Sequence, residues 1–451
     1  MADSCLAQKD LEPICSLPNE ILSGILEFGY HLTNSSQLML PYGILMSQVS
    51  SRWRAVALGT PQLWTRIHID VRRHGSSQMV SHYLRRSGAL PLDLSIHHSV
   101  QQASIAETAY IFHAIGLHID RWRNLQITCS LRIFLRQFIQ SIPLSPAPLL
   151  QSLQISLGEG NIYDKDDTLY NIFKRGAPSL KSVRLRGVGL QCLQSLNSVT
   201  SLHLHDTGSM RITSPLFSAI LHGLPALTHL VLSGNIILDR ALNVKVDLPA
   251  LLSLCVRPPD WSSDHFAYLL NMISAPVLET LLLEQTTVGE IKELARLAFG
   301  APNFPSLRSL TLLPSGKFTL PTWQTLSHMF PAVTHISLAD PTIREFLDAL
   351  SGKEVKMSLS APLWPYLHTL TLIRRIGVCL DFDQTALYTA TSSRIASNMP
   401  ISRLQFPKLM IDHFKPDDLH RLQQLVDVEE VTVYPGIDYQ TYIAHWPHDH
   451  E

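Results

Sequence analysis

With 451 residues, 45% of them apolar, the chain exceeds the size at which one compact core stops growing. Two domains or one elongated repeat array are therefore expected, and wholesale disorder is excluded. The 36 basic and 37 acidic residues leave a net charge of −1, so no global field draws a phosphate backbone or an anionic membrane, and neither nucleic acid nor membrane is expected as a partner. Charged residues make up 16%, below the roughly 25% of ordinary soluble domains, which points to broad buried faces or to a surface that other proteins cover.

The first stretch, M-A-D-S-C-L-A-Q-K-D-L-E, has neither a basic n-region nor an apolar core, and no run of 18 apolar residues occurs anywhere after it. An intracellular, soluble protein, cytoplasmic or nuclear, is expected. Cys5, Cys15, Cys129, Cys192, Cys255 and Cys379 are scattered without a C-x-x-C, which argues for reduced cysteines and against a disulfide framework or zinc knuckle. Residues 1–15 form an N-terminal tail.

Residues 16–67 carry helical spacing. Leu17, Ile21, Leu22, Ile25 and Leu26 make one apolar stripe, with Ser16 as the expected N-cap and Gly29 past the end. Pro18 then falls in the first turn, where its missing N–H breaks no helical bond. A second helix is expected from Pro41 through Ile44, Leu45, Val49, Trp53 and Val56, and Thr60-Pro61 starts a short third one holding Leu63 and Trp64. Three short helices give too small a core to stand alone, so the unit needs a partner or must cap the remainder of the chain.

The stretches "L-P-N-E-I-L", "V-S-S-R-W-R-A-V-A" and "L-W" resemble the F-box motif in the form common in large fungal families, over about Leu17 to Ile67. The resemblance implies three helices that dock on the adaptor Skp1, which a cullin scaffold links to a ubiquitin-transferring enzyme. It implicates Leu17, Pro18, Ile21, Leu22, Val49, Trp53, Leu63 and Trp64 in that contact, without separating those that touch the adaptor from those that form the motif's own core. Two departures stand out. The stretch from Gly29 to Leu40 is longer and more polar than in the compact motif, and Ser50 stands where a Cys is often found before the Arg-Trp pair.

Residues 68–121 form a connecting segment with a first irregular repeat around Leu92 and Leu94; its "Y-L-R-R-S-G-A-L-P-L-D-L" and "D-R-W-R-N-L-Q-I" also resemble the joining segment of those fungal proteins. From residue 122 to 440 the pattern P-x-L-x-x-L-x-L returns, as in "P-L-L-Q-S-L-Q-I", "P-A-L-T-H-L-V-L", "P-S-L-R-S-L-T-L" and "P-Y-L-H-T-L-T-L". Its first apolar slot falls at Trp122, Leu150, Leu180, Val199, Leu227, Leu251, Leu278, Leu307, Val333, Leu367, Ile401 and Val428, with spacings of 19 to 34 residues. The last two apolar slots are two apart and so share one side of a strand, which must face the core. Intervening segments carry helical pattern, as in 288–300, where Ile291, Leu294, Leu297 and Ala298 make an apolar face and Gly300 is the expected stop. The recurring Pro blocks continuation of the preceding helix and keeps the chain extended into the strand.

This resembles the leucine-rich repeat family of longer period, which implies a parallel β ladder with convex helices. That family's Asn or Cys ladder is missing, since Ser156, Arg186, His205, Ser233 and Arg257 come after the strand cores, so the turns must be closed otherwise. The expected fold class is thus α/β, a three-helix F-box followed by an irregular leucine-rich-repeat solenoid, with 441–451 as a C-terminal tail. Outward positions carry Ser152, Ser182, Ser201, His229, Ser253, Thr280, Ser309, His335 and Thr369. Crowding on a concave face explains such small polar residues; Arg184, Arg186, His203, His205, Arg257 and Glu284 add charge and are the candidate contacts for a target protein.

No G-x-S-x-G, H-E-x-x-H, G-x-x-x-x-G-K-[ST] or G-x-G-x-x-G occurs. The acid runs at 164–167, 381–383 and 417–418 read as solvated loops or helix starts, and His445, His448 and His450 as part of a tail. No catalytic, metal or cofactor site is expected. Two functional readings are open: a non-catalytic substrate-recognition subunit of an SCF-type ubiquitin ligase, with the adaptor, its cullin complex and a target as partners, or a leucine-rich scaffold whose helices only cap the repeats.

Overall fold

The computed structural model describes residues 17–32, 41–71, 75–98, 105–158, 172–173, 175–188, 197–205, 212–239, 244–258, 265–297, 304–339, 342–352, 362–373 and 384–431. Cys5, Cys15, Ser16, Cys192, Ala298, Gly300, Cys379, the acid runs 164–167 and 381–383, and the C-terminal histidines lie outside them. The chain divides into two compact units, Met1–Leu180 with Cys192–Ser195, and Lys181–Gln191 with Leu196–Glu451. The fold class is the expected one: mixed α/β, helices first, then parallel strands in an open ladder.

The first unit opens with α1 (Asn19–Leu32), α2 (Tyr42–Ser47), α3 (Ser51–Leu58) and a 3-10 turn, Pro61–Trp64. α1 starts later and runs further than its stripe suggested. Pro18 sits before the helix and its carbonyl accepts from Leu22 N at 3.1 Å, and the helix continues through Gly29 to Leu32. The Tyr42 hydroxyl of α2 fills the space that a Cβ on Gly29 would take. The expected second helix is two, because Ser50 interrupts it: its φ of −158° is extended and its Oγ accepts from Trp53 N at 3.2 Å, an N-cap that starts α3.

Next come β1 (Arg66–Asp70), α4 (Ser76–Arg86), β2 (Leu92–His98), α5 (Ile105–Gly116), a 3-10 turn Ile119–Arg121, β3 (Trp122–Cys129), α6 (Arg132–Ser141) and β4 (Ser152–Leu157). The ladder starts at Arg66, ahead of the connecting segment in which its first repeat was expected. Ile67 pairs with Leu94, Leu94 with Leu125 and Leu125 with Leu153. Ile69, Ile96, Ile127 and Ile155 align two residues on, so every strand turns the same two apolar residues to the core. Helices cover that side: Phe112 of α5 meets Phe134 and Phe138 of α6 edge to face, centroids 4.8 and 5.0 Å apart. On the opposite side Arg123 forks onto Asp93, with Nε at 2.9 Å from Oδ1, and Asn124 donates to the same carboxylate at 2.6 Å.

The second unit holds β5 (Ser182–Arg186), β6 (Ser201–His205), α7 (Ser214–His222), β7 (His229–Ser233), β8 (Val246–Asp247), β9 (Ser253–Arg257), α8 (His265–Met272), β10 (Ile273–Ser274), β11 (Thr280–Thr286), α9 (Val288–Leu297), β12 (Ser309–Pro314), α10 (Leu320–Met329), β13 (His335–Ala339), α11 (Ile343–Ser351), β14 (Thr369–Ile373), α12 (Gln384–Ala396), β15 (Arg403–Phe406), α13 (Lys408–Ile411), α14 (Pro416–Gln423) and β16 (Asp427–Glu430). Its main ladder runs β5-β6-β7-β9-β11-β12-β13-β14-β15-β16, parallel throughout the described pairings, and β8 pairs with β10 apart from it. Leu202, Leu230, Leu254, Leu281, Leu310, Ile336, Leu370 and Leu404 stand in one aligned row, all buried. The first slots Val199, Leu227, Leu251, Leu278, Leu307, Val333, Leu367 and Ile401 are buried as well.

Backbone hooks tie successive repeats together ahead of the strands. In the main ladder from β5 to β14 the carbonyl before a strand takes two N–H groups from the next repeat, as when Arg308 O accepts from Thr334 N at 2.8 Å and His335 N at 3.0 Å, and Thr334 O from His368 N and Thr369 N at 3.0 and 3.1 Å. After β5 and β7, Gly187 (φ 67°) and Gly234 (φ 80°) turn the chain in the left-handed conformation and donate to His205 O and Arg257 O at 2.9 and 2.8 Å. α9 begins with a reciprocal capping box: Thr287 N donates to Glu290 Oε2 at 2.8 Å and Glu290 N to Thr287 Oγ1 at 3.2 Å. The acids at 417–418 are a helix start, Asp417 and Asp418 lying in the first turn of α14.

One feature of the second unit was not expected. In β5 and β6 burial alternates, but in β12, β13 and β14 almost every residue is buried. On the side away from the leucine core, Leu282, Leu313, Ala339 and Ile373 form a second apolar cluster, with Thr311, Ser337 and Thr371 buried beside it.

Candidate partner-binding surfaces

The first surface is built on α1, which is apolar on two sides. Leu22, Leu26 and Tyr30 are buried, whereas Ile21 (52% exposed), Ile25 (44%), Phe28 (67%) and Leu32 (70%) face outward. Those four recur at steps of 4, 3 and 4 and so lie along one stripe of the helix. Four large apolar side chains along one helix, exposed together, are a patch of the kind that marks an interaction site. Leu45 of α2, Val49 in the turn after it and Leu58 of α3 are exposed too.

The residues that the motif resemblance implicated fall into distinct places. Pro18, Ile21 and Val49 are exposed, and Leu17 and Trp53 half-buried. Leu22, Leu63 and Trp64 are in the core. Trp64 donates from Nε1 to Ala57 O at 2.9 Å, meets Tyr83 edge to face at 5.0 Å, and carries the Arg86 guanidinium over its ring at 4.5 Å. It therefore binds α3 to α4. Ile25, Phe28 and Leu32 complete the exposed stripe. Ile25 stood in the sequence stripe; Leu32 fell outside it because the helix was ended at Gly29, and Phe28, inside the expected helix, was not counted because it lies off the stripe of Leu22 and Leu26.

The stripe is held in place by polar contacts at its ends. Arg52 of α3 donates from Nε to Asn19 Oδ1 at 3.1 Å and from Nη2 to Leu17 O, tying the start of α1 to α3. Mid-helix, the Ser23 and Thr60 hydroxyls are 2.9 Å apart. At the far end the Tyr30 hydroxyl accepts from Arg66 N at 3.0 Å and lies 3.3 Å from Thr65 Oγ1, and Arg66 sits over the Tyr30 ring at 4.6 Å. Burial raises the Tyr30 pKa, so the phenol stays neutral and can serve both bonds.

The second surface is the outward side of β5 and β6. Register places Arg184 beside His203 and Arg186 beside His205, all four half-buried, so the ladder gathers these candidate contacts into one cluster. Arg257 and Glu284 stand apart from it: Arg257 Nε is 3.8 Å from Glu284 Oε2 and 3.3 Å from Gln285 Oε1, and Glu284 is buried, so it serves an internal ion pair. The hydroxyl row is in register as read: Ser182, Ser201, His229, Ser253, Thr280, Ser309, His335 and Thr369 align across successive strands. Among the described residues no group of three His, Cys, Asp or Glu gathers as a metal site, and no helix is long and apolar enough to cross a membrane.

No curated protein is similar enough to the chain to stand as a relative. Residues 14–70, which hold the three helices, the 3-10 turn and β1, match the family model described as F-box-like. The chain thus carries an F-box-like domain, which supports a role as a Skp1-binding adaptor of SCF-type ubiquitin ligases.

Proposed function

We propose that the protein is the substrate-recognition subunit of an SCF-type ubiquitin ligase, of the fungal leucine-rich-repeat kind. It works without a catalytic residue of its own, in the cytoplasm or nucleus. Its contribution is proximity: the F-box-like helices hold a Skp1-type adaptor and its cullin complex, and the outward side of the ladder holds a target, raising the target's effective concentration at the transferring enzyme. The observation that carries this reading is the exposed stripe Ile21, Ile25, Phe28 and Leu32 on α1; the motif residues Pro18 and Val49 are exposed as well. Leu22, Leu63 and Trp64 act by holding those side chains in place. Arg184, Arg186, His203 and His205 are the proposed target contacts.

The test is co-purification of the full-length chain with a Skp1-type adaptor. Ile21→Asp and Phe28→Asp, both on exposed positions, are expected to abolish it while thermal melting stays the same. Adaptor binding that persists in the double variant would overturn the reading and leave the scaffold alternative.

A further inference from the structure

A cavity of about 480 Å³ opens at the edge of the second unit where β12, β13 and β14 begin. Its wall comes from the residues that precede these strands, Arg308, Thr334 and His368, and from two turns at 365–367 and 398–400. It is a shallow depression, more open than enclosed.

Both turns are fixed from behind by one side chain. Arg394 of α12, 3% exposed, donates from Nε to Met399 O at 2.9 Å, from Nη1 to Leu363 O at 2.8 Å, and from Nη2 to Trp364 O at 3.0 Å and Leu367 O at 3.4 Å. These partners are all carbonyls, and among the described residues no carboxylate pairs with it, so its charge is left without an acid. Two of the three non-glycine residues with positive φ among the described residues flank the same cavity, Trp364 at 39° and Asn398 at 58°. A bulky residue adopts that conformation only where its surroundings impose it. Trp364 is held by its N–H to Ser327 Oγ at 2.8 Å and its Nε1 to Phe330 O at 3.1 Å.

The backbone carbonyls of Arg308, Thr334 and His368 on this edge are taken by the hooks between repeats. Arg308 is exposed, and among the described residues its guanidinium makes no hydrogen bond or ion pair; Tyr366, 67% exposed, shares the lining with it, as do Pro365 and Met399. Two cations without an acid, one behind the wall and one at the mouth, favour a negative ligand. A guanidinium fork suits the paired oxygens of a carboxylate or phosphate, and the ring of Tyr366 suits an apolar body.

We propose that this cavity binds a small organic anion, its carboxylate or phosphate head on Arg308 and its aromatic or aliphatic body against Tyr366. The site is independent of the F-box-like helices. Full-length protein is titrated calorimetrically with phenyl phosphate, benzoate and inorganic phosphate, in the wild type, Arg308→Gln, Tyr366→Ala and Arg296→Gln. The last removes an exposed arginine already paired with Glu293 elsewhere. Phenyl phosphate or benzoate is expected to bind saturably at one site, which of the two is tighter identifying the head group. Affinity should fall about tenfold or more in Arg308→Gln and stay the same in Arg296→Gln. Tyr366→Ala should erase the preference for phenyl phosphate over inorganic phosphate. Absence of saturable binding by all three probes, or equal affinity in wild type and Arg308→Gln, overturns the site. Equal wild-type affinity for phenyl phosphate and inorganic phosphate overturns the apolar half of it.

Discussion

Strands β5 and β6 and strands β12 to β14 are copies of one motif in one ladder, yet they are different kinds of sheet. Their core sides are alike, with Val183 and Leu185 at one place and Leu310 and Leu312 at the other fully buried. The outward sides differ. In the row that begins at Arg184 and His203, the later members Leu282, Thr311, Ser337 and Thr371 are almost wholly enclosed. A repeat therefore fixes the chain's path with one side of each strand, and the other side is free to become either a meeting place or a second core.

Paired substitutions along that one row test the contrast. Leu282→Ala should destabilise the protein by about 2–4 kcal/mol, the range for enlarging an enclosed cavity, whereas Val231→Ala, half-buried two strands away, should cost about 1 kcal/mol or less. Equal losses in urea denaturation would show that the two regions do not differ. Next in size, the buried Thr371 hydroxyl donates to Gln405 Oε1 at 2.8 Å and lies 2.9 Å from His335 Nε2. Thr371→Val should cost about 1–2 kcal/mol by leaving those partners unmet, while Ser201→Ala on the alternating strand β6 should stay within about 0.5 kcal/mol.

The smallest effect is one of pH. Because Thr371 gives its proton to Gln405, His335 must donate from Nε2. Its pKa is lowered, first by burial and then by the charges of His368 and Arg403. A histidine with a depressed folded pKa binds fewer protons folded than unfolded, so its stabilising share is complete above the ordinary value near 6.5 and is lost as pH falls from there toward the folded pKa. Stability is expected to decline over that window, and His335→Gln should flatten part of the decline. His68, His98 and His118 are shifted the same way by burial and add to the decline.

The ladder was legible because its signal is periodic and repeated: a leucine two residues from another, opened by a proline, leaves one way to bury both. The α1 boundary was not, because Gly29 looks like a stop until Tyr42, thirteen residues on, is known to lie against it. Ser50 could have been recognised as a cap, since a serine before S-R-W-R starts a helix as readily as it continues one. The doubly buried strands also left a trace. T-L-L-L-E, S-L-T-L-L and T-L-T-L-I carry apolar residues at outward positions, and a near-continuous apolar run in a parallel strand means that both sides are enclosed. Of the candidate sites, the cluster of Arg184, Arg186, His203 and His205 followed from register alone. The cavity beside Arg308 did not, because Arg394 lies 86 residues from it in the chain and only the fold brings their surroundings together.

The carbonyl hooks between repeats carry a lesson about change over evolutionary time. Each hook ties only the residue before one strand to the first residues of the next, so it is indifferent to how much chain lies between them. Repeat spacing here runs from 19 to 34 residues without breaking the row of leucines. Lengthening a closed loop adds little entropic cost, about 0.6 kcal/mol for each doubling. Insertions between strands can thus accumulate new surface one repeat at a time, while a single-residue insertion within P-x-L-x-x-L-x-L would turn its leucines outward and break the run.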